Sequence, residues 1–248
     1  MRKYGLIGMP LGHSFSQKYF TEKFENEHID AQYNLYPLNS IDEVRRLLAD
    51  EPELCGFNVT IPYKEQIFKY LDSVDAEAQE VGAVNVVKIF RDGNSLKLKG
   101  FNSDIYGFYE TIKPMIRPWH TRALILGTGG ASKAVAAMMR KLGIEYRFVS
   151  RNGKDGALKY ADIDKQVMAD YTVLVNATPL GMFPNCDQCP DIPYNLLTDR
   201  HLAYDLIYNP LETKFLQLAR QKGAQTKNGL EMLHLQAEKA WQIWQTNC

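Results

Sequence analysis

The sequence predicts an α/β protein of two domains. Three observations carry that expectation: the length, a first half in which short β-rich runs alternate with amphipathic stretches, and a second half in which a glycine-rich turn joins a buried strand to a helix. A chain of 248 residues suffices for two modest domains, each with its own apolar core. Basic and acidic residues balance at 29 each, so no global field favours nucleic acid or an anionic membrane, and a small molecule is the expected partner. No apolar run approaches the roughly 20 residues of a membrane span, and Met1 to Gly8 lacks the features of a signal peptide. A cytoplasmic protein, monomeric or homodimeric, is expected.

In the first half, Lys3 to Gly8 reads as a strand, Gln17 to Glu27 as a helix, Gln32 to Tyr36 as a strand and Ile41 to Ala49 as a helix. Gly56 to Ile61 is a third strand running into Pro62. Because proline favours the first turn of a helix, Tyr63 to Leu71 is expected to be helical. Val84 to Phe90 and Leu96 to Phe101 flank Asp92-Gly93-Asn94, which suggests a hairpin. After Asn102 the pattern changes. Ala123 to Gly127 is a short apolar run and Gly130 to Leu142 has helical periodicity. Tyr146 to Val149, Val173 to Val175 and Ala203 to Ile207 add strands, Leu211 to Lys222 a helix stopped by Gly223, and Leu230 to Gln245 a last helix. This half reads as a doubly wound fold, with residues 104–229 as one domain and residues 1–103 with 230–248 as the other.

Gly127-Thr128-Gly129-Gly130-Ala131-Ser132 lies between a strand and a helix, the context that makes a glycine pattern a dinucleotide-binding candidate. Glycine lets the backbone approach a pyrophosphate, and the helix N-terminus offers unpaired N–H groups to it. Ser132 replaces the third glycine, and a small residue still permits close helix–strand packing. At the end of the next strand, where NAD enzymes place a carboxylate for the ribose 2′-hydroxyl, the residues are Ser150-Arg151-Asn152. A guanidinium there suits a 2′-phosphate, which favours NADP.

Several polar residues lack an evident structural purpose. Ser14 and Ser16 precede a helix; Ser16 suits an N-cap, and both hydroxyls suit a bound carboxylate. Strand alternation sends Asn58 and Thr60 to one face and Val59 and Ile61 to the other. Lys64 then falls in an expected first helical turn, against the macrodipole. Asn85 interrupts an apolar strand, where its amide must find partners. Asn102-Ser103-Asp104 gathers an amide, a hydroxyl and a carboxylate where the two sequence patterns meet, and crevices between domains are where ligands usually lie. Cys55, Cys186, Cys189 and Cys248 are too few for a disulfide framework, and Cys186-Asp187-Gln188-Cys189 has no second pair to complete a metal site. No metal is expected.

These motifs resemble, in order and almost end to end, those of the shikimate dehydrogenase family. The segments are Ile7-Gly8 through Ser16, Asn58 to Lys64, Gly82 to Asn85, Asn102 to Asp104, Gly127 to Ser132, Asn176 to Met182, Tyr204 to Tyr208, and Gly229 to Gln236. The resemblance implies NADPH-dependent, reversible reduction of 3-dehydroshikimate to shikimate on the way to chorismate and the aromatic amino acids. It also implies an N-terminal α/β substrate domain, a Rossmann-like NADP domain and a C-terminal helix returning to the first. By the same resemblance Lys64 and Asp104 form the catalytic pair; Ser14, Ser16 and Tyr208 hold the substrate carboxylate; and Asn58, Thr60, Asn85 and Gln236 hold ring hydroxyls. Gly127, Gly129, Gly130, Ala131, Ser150, Arg151, Asn152 and Thr178 fall to the cofactor, with Leu206, Gly229 and Met232 toward the nicotinamide. The chain departs from the family in carrying Ile105 where glycine is common after the catalytic Asp. It also has Asn152-Gly153-Lys154 where a Thr and a second Arg are common, which implies that 2′-phosphate binding is either weaker or relies on Lys154. A quinate/shikimate dehydrogenase using NAD or NADP, or a non-catalytic nucleotide- or acid-binding sensor, are the alternatives.

Overall fold

The computed structural model describes residues 1–12, 14–93, 95–153 and 156–246; His13, Asn94, Lys154 and Cys248 lie outside them. The chain divides into two units, Met1–Ser103 with Gln236–Cys248, and Asp104–Leu235.

The first unit is a mixed sheet of six strands in the order β2-β1-β3-β5-β6-β4. These are β1 (Arg2–Gly8), β2 (Ala31–Pro37), β3 (Leu54–Val59), β4 (Ser73–Val74), β5 (Val86–Asp92) and β6 (Ser95–Phe101). Strand β1 runs parallel to β2 and β3, while β3, β5 and β6 alternate in direction. The anticipated hairpin is present, with Asp92 opposite Ser95. Both faces are buried, which explains the nearly continuous apolar runs of β1 and β5. Helices α2 (Val44–Asp50) and α3 (Ala76–Val81) contribute Val44, Leu47 and Ala78 to one core, with Ile7, Val59 and Val87 from the sheet. The other core joins Tyr4, Leu6, Tyr33 and Val86 to Phe20 and Phe24 of α1 (Phe15–Asn26) and to Ala240, Ile243 and Trp244 of α8 (Leu230–Gln245). The last helix thus returns to the first unit. Its Trp244 indole donates to the Val87 carbonyl at 3.1 Å, a fit that needs Gly56, where a Cβ would lie 2.4 Å from the indole nitrogen.

The second unit carries a wholly parallel six-stranded sheet ordered β9-β8-β7-β10-β11-β12. Its strands are β7 (Arg122–Leu126), β8 (Glu145–Ser150), β9 (Leu158–Lys159), β10 (Val173–Asn176), β11 (Leu202–Asp205) and β12 (Gln225–Lys227), and its further helices α4 (Asp104–Ile112), α5 (Gly130–Lys141), α6 (Lys165–Asp170) and α7 (Lys214–Gln221). Strand order reverses between β7 and β10, the doubly wound arrangement whose ligand crevice lies outside the carboxyl ends of the strands at that switch point.

Some elements differ from the sequence reading. Tyr63 to Leu71 is not a helix from its start: a turn at Lys64 precedes a five-residue 3-10 helix, Gln66–Tyr70. The Lys64 carbonyl, which a helix would offer to residue 68, accepts the Val84 N–H at 2.8 Å, and the Tyr63 hydroxyl is drawn to the Leu38 carbonyl at 2.6 Å. Lys64 therefore does not face a helix dipole. Helix α7 starts at Lys214 rather than Leu211, because Thr213 is its N-cap and accepts from Leu216 N–H. Ile61 is 73 % exposed, so the apolar side of β3 ends at Val59. Helices α3, α4 and α6 went unread: two have six residues, too few to display a period, and six of the nine residues of α4 are buried, which erases one.

Two buried histidines sit in the second unit. His120 accepts from Arg117 N–H on Nδ1 (3.0 Å) and faces the Arg200 carbonyl with Nε2 (3.0 Å). His201 likewise accepts Thr198 N–H (3.1 Å) and faces the Met168 carbonyl (2.9 Å). Both rings are therefore neutral with the proton on Nε2. Burial lowers both pKa values below the usual imidazole value, because the charged ring is the form that loses most by leaving water. The linkage has a definite sign. Their contribution is complete above the unfolded-state pKa near ~6.5 and is lost as pH falls through that value toward the lower folded one. Urea unfolding between pH 7.5 and 5.5 is expected to show stability declining on acidification, with a shallower slope in His120→Gln/His201→Gln; an unchanged slope excludes these histidines as its source.

Candidate active site

In the first unit the polar residues gather at the carboxyl ends of β1 and β3. Ser14, not Ser16, is the N-cap of α1, accepting Gln17 N–H at 3.4 Å, and Ser16 falls inside the first turn. Thr60 follows β3 and donates its N–H to the Ile7 carbonyl (2.9 Å). Its methyl lies where a Cβ on Gly8 would be, 2.4 Å away, so the last residue of β1 must be glycine for Thr60 to approach. Asn58 Nδ2 donates to the Asn85 carbonyl (3.2 Å). Asn85, which precedes β5 rather than interrupting it, donates to Ser103 Oγ (3.1 Å) and accepts Ser103 N–H (2.7 Å). Asn102 Nδ2 donates to the Ala83 carbonyl (2.8 Å). The amide that looked misplaced in sequence thus ties the end of β6 to the start of β5.

One member of this set escaped the sequence analysis. Tyr33 of β2, fully enclosed and stacked on Phe20 with ring centres 4.7 Å apart, donates to Asn58 Oδ1 at 2.7 Å. Burial pushes its hydroxyl pKa far up, and the Ser16 hydroxyl nearby opposes that shift. The phenol that sets the Asn58 amide thus also has a candidate carboxylate ligand as its neighbour. In sequence it is one aromatic in an apolar strand, with nothing to separate it from core. Lys64 is partly buried in the first unit; Gln236 lies partly buried on α8. Asp104 opens α4 in the second unit, 5 % exposed, at a helix start that favours its charge. Ile105 behind it is buried, so the residue found in place of glycine serves the core.

In the second unit β7 ends at Leu126, and Gly127 turns the chain at φ +108°. A Cβ there would meet the Ala177 carbonyl and the Thr178 methyl at 3.1 Å, so the loop lies directly against the end of β10. Gly129 caps α5 with open space where its Cβ would be, leaving the first N–H groups of α5, from Gly130 and Ala131, directed outward. Ser132 is completely buried, consistent with its place as the small residue between helix and strand. Ser150 ends β8 and accepts Gly153 N–H at 3.0 Å, and Arg151 and Asn152 are exposed. Among the described residues no carboxylate stands at that strand end. Thr178 donates to Asn176 Oδ1 (2.6 Å). Gly229 donates to the Ile207 carbonyl (2.9 Å) and packs so closely on Leu206 that a Cβ would lie 2.2 Å from its carbonyl oxygen. Met232 is buried, and Tyr208 is half-buried with its hydroxyl pKa raised by burial. A glycine cradle, a free helix N-terminus at the switch point and an arginine at the β8 end fit a dinucleotide bearing a 2′-phosphate.

Residues 6–87 match the family model described as the shikimate dehydrogenase substrate binding domain. Over 260 residues the chain is 38 % identical to the shikimate dehydrogenase (NADP(+)) of Carboxydothermus hydrogenoformans, covering 97 % of this chain and 90 % of that one. The chain belongs to the shikimate dehydrogenase family. Among solved structures of the family, the shikimate 5-dehydrogenase of Thermus thermophilus in complex with NADP(H) and shikimate superposes with a TM-score of 0.83 at 32 % identity, over 99 % of this chain and 94 % of that one. The enzyme of Listeria monocytogenes in complex with shikimate and NAD gives 0.84 at 28 %, over 98 % and 91 %.

The exposed guanidinium of Arg151 is the group expected to tell the two nucleotides apart. Arg151→Ala should weaken NADP binding by about 1.5 kcal/mol, the low end for a charge-assisted bond because solvent screens it, and should leave NAD affinity nearly unchanged. Calorimetric titration at two salt concentrations checks both points; equal losses for the two nucleotides assign Arg151 to the fold.

Proposed function

We propose that this chain catalyses the reversible, NADPH-dependent reduction of 3-dehydroshikimate to shikimate. The observation that carries the reading is the pairing, in one chain, of the hydrogen-bonded polar set around Asn58, Tyr33 and Asn85 with a phosphate-binding turn at the switch point of a parallel sheet. The sheet fits a dinucleotide and the polar set fits a small acid bearing several hydroxyls. Family membership joins the two in one reaction.

Ser14 and Ser16, beside the N-terminus of α1, supply hydroxyl donors for the substrate carboxylate, with Tyr208 as a third. Asn58 has one amide hydrogen and one lone pair left after its bonds to Asn85 and Tyr33, and these serve a ring hydroxyl as donor or acceptor. Thr60, Asn85 and Gln236 complete the ring contacts. Gly127, Gly129, Gly130 and Ala131 hold the pyrophosphate, Ser150, Arg151 and Asn152 the adenosine end, and Thr178, Leu206, Gly229 and Met232 the nicotinamide end. The bound nucleotide supplies the hydride equivalent. The protein must manage the proton: the oxygen that gains negative charge in reduction needs a donor within hydrogen-bond reach, and the same group receives the proton in the reverse direction. Lys64 fills that role. Asp104 is the second member of the catalytic pair that family membership implies. The relative that binds NAD keeps that nucleotide as the alternative cofactor.

The purified chain is expected to reduce NADP with shikimate as donor, with quinate much poorer, monitored by absorbance of the reduced nicotinamide; no turnover with either acid and either nucleotide in folded protein rejects the reading. Lys64→Ala should lower kcat by about 10²–10⁴ with a smaller change in KM. Asp104→Asn should lower kcat as well, and the double variant should lose far less than the product of the two, as groups acting together do. Near-normal kcat in both single variants would remove Lys64 and Asp104 from the proton transfer.

A further inference from the structure

Asp205, the last residue of β11, is completely buried, and among the described residues no cation pairs with it. Three neutral donors hold it instead. Oδ1 accepts from Asn176 Nδ2 at 3.1 Å and from Ile207 N–H at 3.0 Å; Oδ2 accepts from the Thr213 hydroxyl at 2.6 Å. Burial raises its pKa to about 6 despite these bonds. A lone carboxylate in an apolar sheet is costly, and an uncharged residue there would fold more easily, so its presence calls for a purpose beyond packing.

The three donors belong to three segments that reach the nucleotide crevice. Asn176 ends β10, and its other amide atom accepts both Thr178 N–H and the Thr178 hydroxyl, while Nδ2 also donates to the Leu180 carbonyl. Thr178 is the residue against which Gly127 of the phosphate-binding turn is seated. Ile207 accepts, through its carbonyl, the N–H of Gly229. Thr213 caps α7 and touches Gly181 at the far end of the Thr178 loop. No other side chain described above reaches all three segments.

We propose that Asp205 is the positioning residue of the nucleotide site: its carboxylate sets, through Asn176, Ile207 and Thr213, the Thr178 loop and the Leu206–Gly229 contact against the carboxyl ends of β7 and β10. Neither Asp205 nor Thr213 touches the nucleotide in this arrangement; they act through Thr178, Leu206 and Gly229. The inference rests on the reading of function given above. An amide in place of the carboxylate removes the charge that strengthens all three bonds and keeps the Thr213 arm only by turning that hydroxyl from donor to acceptor, so Asp205→Asn weakens the network while Thr213→Val deletes one arm.

The test compares Asp205→Asn, Thr213→Val and Thr213→Ser in the full chain. Three quantities are measured: NADP affinity by calorimetry, steady-state kinetics with shikimate, and thermal unfolding. Asp205→Asn and Thr213→Val are expected to weaken NADP binding about tenfold and to lower kcat by about 10- to 100-fold through a displaced nicotinamide end, with less effect on the KM for shikimate. Thr213→Ser, which keeps the hydroxyl, should restore both. Folded variants that melt earlier but bind NADP and turn over like the parent chain overturn the proposal and make the network ordinary core. If Asp205→Asn does not fold, the contrast between valine and serine at 213 decides in the same way. Absence of turnover in the parent chain defeats the reading of function alone, because the NADP affinities still decide the role of Asp205.

Discussion

The hydrogen bond from the Trp244 indole to the Val87 carbonyl, admitted by the missing side chain of Gly56, fixes the last helix on the first sheet. Much of the candidate substrate site follows from it. Trp244 stacks on Tyr4 at 4.8 Å and packs on Phe20; Phe20 stacks on Tyr33; and the Tyr33 hydroxyl sets the Asn58 amide. Aromatic contacts of this kind have preferred distances and angles, so a chain of four rings conveys a definite position from the helix to a polar group. Asn58 cannot flip its amide without setting acceptor against acceptor at the Asn85 carbonyl. The polar groups are thereby oriented before any ligand arrives, which lowers the cost of ordering them on binding.

The second unit reaches the same end with backbone instead of rings. At Gly127 and Gly229 main chain meets main chain or a short side chain at distances that exclude a Cβ. The reversal of strand order between β7 and β10 leaves the crevice, and the glycines let its walls approach. In the proposed reading, specificity for the nucleotide falls to the strand end at Ser150 to Asn152, where the sequence supplies a guanidinium and no carboxylate.

What could be read from the sequence follows from how local each signal is. The glycine turn with its flanking strand and helix, the hairpin at Asp92–Gly93 and the long last helix are written in adjacent residues or in a clear period, and all are present. Asn85 was legible as an amide in need of partners, though not which partners, because Ser103 and Asn58 are 18 and 27 residues away. Lys64 was misplaced in a helix because the competing claim on its carbonyl, from Val84, is equally remote in sequence. Tyr33 and Asp205 were not singled out. An aromatic in a strand and an aspartate at the end of one are ordinary by composition, and only tertiary contacts give them a second task. Resemblance supplied most of the candidate site, and physical reading of single residues supplied the reasons for part of it.

The first unit is built from two stretches, residues 1–103 and 236–248, that flank the single uninterrupted stretch of the second. On a ribosome the two therefore mature in an order opposite to their order in the chain. The sheet of the first unit can pair early, yet its Tyr4, Phe20 and Tyr33 face stays uncovered until the residues around Trp244 have left the exit tunnel. By then the second unit is already complete in sequence. Such an apolar face, open until the second unit has been made, is the kind of surface that chaperones hold. Its closure also depends on contacts between residues more than two hundred positions apart, which are slow to form.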